Sequence, residues 1–146
     1  PVGYSPIKNF TIEVFGMGRE MANNAANTDL LVLHGSTDAP TVDVVETGVG
    51  AGTIIDNASY GDFAGYLELA TADYTLEIRD ESGQTTVASY EAPLSTLNLM
   101  GASGVVVASG FLNPTNNSNG EAFGLFVALP SGGDLVALPA SKTANF

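Results

Sequence analysis

Leu31-Val32-Leu33-His34-Gly35-Ser36-Thr37-Asp38-Ala39-Pro40-Thr41-Val42-Asp43-Val44 is an apolar strand that runs into a tight polar turn. It leaves that turn as a second strand of alternating polarity. Other period-2 runs lie on either side of it. Phe10-Thr11-Ile12-Glu13-Val14 alternates, and so does Tyr74-Thr75-Leu76-Glu77-Ile78-Arg79; each reads as a strand with one buried and one wet face. Leu30–Leu33 and Val105–Ala108 are continuous apolar runs, as expected of central strands covered on both faces. Further strands are expected near Thr53–Ile55, Gly65–Leu69, Thr86–Tyr90, Phe123–Leu129 and Leu135–Leu138.

Turn-forming stretches punctuate these runs: Asp80-Glu81-Ser82-Gly83, Asn113 through Gly120, and Pro130-Ser131-Gly132-Gly133-Asp134. About ten short strands joined by turns rich in Gly, Asn and Pro predict an all-β fold, an antiparallel β-sandwich. No stretch keeps helical periodicity for three turns. The best helix candidate, Gly18–Asn27, is interrupted by asparagines and reads as a loop.

The chain has 146 residues, one domain's length, enough to bury roughly two-thirds of the surface of the unfolded chain. Lys8, Arg19, Arg79 and Lys142 are its only cations, against sixteen carboxylates, for a net charge of −12. Phosphate backbones need a basic footprint, so nucleic acid is not an expected partner, and insertion into an anionic membrane is disfavoured for the same reason. Strong acidity suits a protein kept soluble at high ionic strength. Cysteine is absent, which excludes disulfides, thiolate-held zinc and a thiol nucleophile. The sequence begins Pro1-Val2-Gly3 without an initiator methionine, so either a leader was removed or the chain is part of something longer.

The stretch Leu31–Val44 followed by Tyr60-Gly61-Asp62-Phe63-Ala64-Gly65-Tyr66-Leu67-Glu68-Leu69 resembles the DUF4397 family of bacterial secreted and cell-surface domains. The shared pattern is an apolar strand, H-x-S-x-D-A-P-x-V-D-V, a G-x-x-x-G-Y-L segment, and a strand like Tyr74–Arg79. Gly110–Pro114 through Ala122–Leu125 looks like the version in Bacteroidota-type exported proteins. Thr37 stands where relatives often carry Pro, and Ala72-Asp73 where they carry Ala-Gly; both are turn changes. The resemblance implies an immunoglobulin-like β-sandwich, export, and use within multidomain surface proteins. It supplies no catalytic residues. The chain then divides into an N-terminal extension (residues 1–28) with one strand, a sandwich (29–139), and a tail or linker (140–146).

Several constellations could carry chemistry. His34, the only histidine, precedes Asp38 and Asp43 and reads either as a general base or as a turn residue bonding backbone. The turn reading is preferred, because Gly35-Ser36-Thr37 lacks the strand-to-helix elbow that presents a serine nucleophile. Asp38, Asp43, Asp56 and Asp62 are candidate Ca²⁺ ligands, although no EF-hand loop is present and solvated turn carboxylates are the simpler account. No other cofactor is expected. Tyr60, Phe63 and Tyr66 could form a sugar-stacking platform, or fill the core while a tyrosine hydroxyl pins a corner of the sandwich. Asn9-Phe10-Thr11, Asn57-Ala58-Ser59 and Asn116-Asn117-Ser118 fit the glycosylation triplet, a match an Asn-rich chain produces by chance.

Phe10, Ile12 and Val14 give one apolar face, extended by Phe15. This candidate assembly strand either edges its own sandwich or inserts into a neighbouring copy, where repetition would build a fibre. The functional expectation is a non-enzymatic, secreted structural or adhesion module at the bacterial cell surface. Its loops Ser36–Pro40, Asp56–Asp62 and Pro114–Gly120 would face outward. Its partners would be other copies or neighbouring domains of the same surface protein. The alternatives are a self-assembling filament subunit and a carbohydrate-binding module.

Overall fold

A computed structural model describes residues 11–141. Phe10, Asn9, Lys8 and Lys142 lie outside the described residues. The strands are β1 (Asn27–His34), β2 (Val42–Glu46), β3 (Gly52–Ala58), β4 (Phe63–Ala70), β5 (Asp73–Asp80), β6 (Thr86–Pro93), β7 (Ser103–Ser109), β8 (Gly124–Ala128) and β9 (Val136–Ala137). A 3-10 turn, Pro114–Asn116, interrupts the β7–β8 connection. They form two sheets, one ordered β4-β1-β7-β8-β9 and the other β3-β2-β5-β6.

The two apolar runs become β1 and β7, which sit side by side inside the five-stranded sheet. Their pairing is parallel, with Leu31 opposite Val105 and Leu33 opposite Val107; every other strand pair is antiparallel. The expected antiparallel sandwich is present, with this one parallel pair inside it. The reason is chain order: β1 and β7 are joined through the whole second sheet, so no hairpin sets their direction.

Alternation places Tyr74, Leu76 and Ile78 of β5 inward, against Leu30, Val106, Leu125 and Val127 of the opposite sheet. Fully burying such an aliphatic side chain contributes about 1.5–3 kcal/mol, and Leu94, 1% exposed, closes one end of this core.

Two ends of the chain depart from expectation. Thr11–Phe15 belongs to no strand, so the described part of the alternating run is no edge of its own sandwich. It continues instead as a strap through Met21, which bridges Ala102 just ahead of β7. Gly18–Asn27 is non-helical, as expected, but β1 begins at Asn27, before the apolar run. At the other end Ala140 bridges Tyr90, and Ser141 donates its N–H to the Ser89 carbonyl at 3.0 Å. These first residues of the supposed linker are thus tied to β6.

Candidate functional site

β1 ends at His34, and its backbone pairs with the β3–β4 turn: His34 N–H donates to Asp62 O at 3.1 Å and Gly61 N–H to His34 O at 2.8 Å. The imidazole is 3% exposed. Its Nε2 lies 2.9 Å from the Pro40 carbonyl, an acceptor only, so Nε2 carries a proton and donates. Nδ1 is buried with no hydrogen-bond partner, and the ring edge meets Tyr60 at a centroid distance of 6.4 Å. No carboxylate orients this ring; it closes a turn.

The rest of the motif is equally committed. Ser36 is wholly buried and donates its Oγ–H to Gly110 O at 2.7 Å. The Asp38 carboxylate accepts from the Leu112 and Asn113 amides, both at 2.8 Å, and from Asn117 Nδ2 at 3.2 Å. This turn therefore staples the β1–β2 loop to the β7–β8 connection. Two glycines make the joint possible. Gly110 has φ +82°, and a Cβ there would lie 2.2 Å from the Ala122 carbonyl; a Cβ on Gly120 would lie 2.5 Å from the Phe111 ring. A Thr41–Ser59 hydroxyl pair at 2.7 Å adds the β3–β4 turn. The three loops singled out in the sequence thus gather at one end of the sandwich.

The four candidate calcium ligands do not converge. Asp38 serves the β7–β8 connection, Asp43 accepts from Asn57 N–H at 2.8 Å, and Asp62 accepts from Ser59 N–H at 2.9 Å. Asp56 is exposed on β3. Among the described residues, no three acidic or histidine side chains are grouped to hold a metal ion.

Sequence reasoning passed over Glu46, which is buried at the end of β2. Burial pushes its carboxyl up, but hydrogen bonds from the Thr75, Val49, Ala51 and Gly48 amides outweigh that and hold it below the ordinary value. The only signal was Gly48-Val49-Gly50-Ala51-Gly52, a stretch able to fold around an anion. The Asp73 carboxyl is also lowered, first by the Thr96 amide and hydroxyl.

The aromatic group Tyr60, Phe63 and Tyr66 is not an open platform. Phe15 packs on Phe63 and Tyr66 with centroids at 5.3 and 5.9 Å, and the Arg19 guanidinium lies 4.4 Å over the Tyr66 ring. Arg19 also pairs with buried Asp29 at 2.8 Å and with Glu68 at 2.7 Å, and its carbonyl accepts the Ser103 hydroxyl. The corner-pinning tyrosine is Tyr74, whose hydroxyl donates to Ala70 O across the β4–β5 turn.

Of the candidate assembly residues, Phe15 is used within its own fold, whereas Ile12 and Val14 are 74% and 79% exposed. On the outer face of β7 and β8 lies a groove of about 490 Å³ lined, among the described residues, by residues including Val107, Ser109, Phe111, Glu121, Phe126 and Leu135. No motif or period in the sequence points to it.

Residues 28–117 match the family described as "Domain of unknown function (DUF4397)". The chain belongs to that family, and its sandwich extends past the match through β8 and β9. No curated protein and no solved structure matches the chain.

Proposed function

We propose that this chain is a secreted, non-enzymatic, immunoglobulin-like module that acts by display at the bacterial cell surface, in a structural or adhesive role. One observation carries the reading. His34 through Nε2, and Ser36, Asp38 and Asp43, the side chains best suited to catalysis, are hydrogen-bonded to backbone groups that hold three loops together. A rigid joint of this kind presents loops from a scaffold, which is how β-sandwich domains commonly offer recognition surfaces. Antibodies raised against the purified chain should label intact, unpermeabilised cells that make it. Labelling only after permeabilisation would refute display.

A second reading, a self-assembling filament subunit, is favoured by the exposure of Ile12 and Val14 on a segment that belongs to no strand of its own sandwich. Its test is electron microscopy of the purified chain beside a variant lacking residues 1–14, which retains Phe15. Fibres from the full chain and discrete folded particles from the variant support it; particles from both refute it.

A further inference from the structure

The strap lies along the outer face of the five-stranded sheet. Met21 sits beside Ala102, Phe15 covers Phe63 and Tyr66 on β4, and Glu13 reaches Gly61, where a Cβ would be 3.3 Å from its Oε1. The groove continues the same face over β7 and β8. Its floor is apolar, from Val107, Phe111, Phe126 and Leu135, and among the described residues Glu121 is the only ionisable one that lines it. Leu135 is 56% exposed, a large side chain with little covering it.

One face therefore carries projecting apolar side chains and, beside them, an apolar recess they do not fill, since Ile12 and Val14 remain exposed in their own molecule. Charge narrows the choice of occupant. In a chain of net charge −12, the groove's one charge is another acid. Arg19 and Arg79 are already paired with carboxylates. Lys8 stands four residues before Ile12 and is the cation nearest in sequence to the exposed pair.

We propose that the groove receives the N-terminal segment of a second copy, with Ile12 and Val14 against Val107, Phe111, Phe126 and Leu135, and Lys8 brought to Glu121. This inference rests on the filament reading and supplies its acceptor. Donor and acceptor are different surfaces, so each copy gives to one neighbour and receives from another, the head-to-tail contact that extends into a filament.

The test is a charge swap in the full chain, with self-association followed by sedimentation velocity across a concentration series at about 0.1 M salt, where surface charges still act over about 10 Å. Lys8→Glu alone and Glu121→Lys alone each place like charges together and should weaken association several-fold. The double variant should restore it. An equimolar mixture of the two single variants should also restore it, because alternating copies bring opposite charges together at every contact. Single variants that associate like the parent, or a mixture that stays apart, would overturn the groove assignment while leaving the filament reading intact. A parent chain that stays monomeric from low to molar salt would overturn both.

Discussion

The turn at Asp38 and the groove floored by Phe126 are separated by little more than Gly110, yet they are built on opposite principles. At the turn, the Ser36 hydroxyl and the Asp38 carboxylate are bonded to backbone on the far side of the β7–β8 connection. In the groove, the hydroxyls of Thr37 and Ser109 and the carboxylate of Glu121 make no hydrogen bond with any described residue. A polar group whose bonds are all made within the fold contributes stability and has nothing left for a partner. Spare polar groups rimming an apolar floor are the usual anatomy of a recognition surface. In this chain the segment that identifies the family is the joint, and the surface with capacity to spare lies beside it.

The strongest challenge to that contrast is Gly110→Ala. It puts a Cβ onto the Ala122 carbonyl at a positive φ and should cost about 3 kcal/mol or more, read as a lower urea midpoint; a loss under about 1 kcal/mol would mean the joint is soft. Asp38→Ala strands the Leu112 and Asn113 amides. It should cost about 2 kcal/mol and loosen the 112–120 segment, visible as faster amide exchange there than in β5.

A gentler perturbation is pH. Glu46 is held below its ordinary value in the folded chain, so its contribution is complete above the unfolded value of about 4.3 and is lost as pH falls through the lower folded value. Glu77, lowered first by the Thr86 hydroxyl, acts in the same sense. Urea midpoints should be flat near neutrality and fall on acidification below about pH 4.5, and Glu46→Gln should flatten that acid limb. The smallest effect belongs to Ile12→Ser combined with Val14→Ser. Both side chains are exposed, so the monomer's stability should stay within about 0.5 kcal/mol. A larger loss would mean they pack within their own molecule and are not held out for another.

How far the sequence foretold this arrangement depends on range. Period-2 alternation located β2 and β5, and continuous apolarity located β1 and β7 at the interior of a sheet, because those signals are local. His34 as a turn residue was legible from the spacing of Ser36, Asp38 and Pro40. The amides that Asp38 accepts lie 74 and 75 residues downstream, and no local pattern announces such a partner. Asn27, Thr28 and Asp29 precede the apolar run that marked the strand, yet Thr28 and Asp29 are fully buried, Thr28 bonded to Leu99 O and Asp29 paired with Arg19 from the strap. Thr11–Phe15 looked like a strand because alternation records which faces are wet, not whether a sheet edge is free to pair. The groove was illegible because it is made by rings resting on glycines: a Cβ on Gly120 would strike Phe111, and one on Gly124 would lie 3.1 Å from Phe126.

The stitch at Ala140 carries a mechanical consequence. After β9 closes the five-stranded sheet, the backbone crosses to the other layer, where Glu91 N–H donates to Pro139 O at 2.8 Å and Ser141 N–H to Ser89 O at 3.0 Å. Tension arriving from downstream of Ser141 meets bonds to β6 before it can tug on β9. Load is shared between the two layers from the outset, so a pull that would otherwise unzip a two-residue strand must first shear a seam.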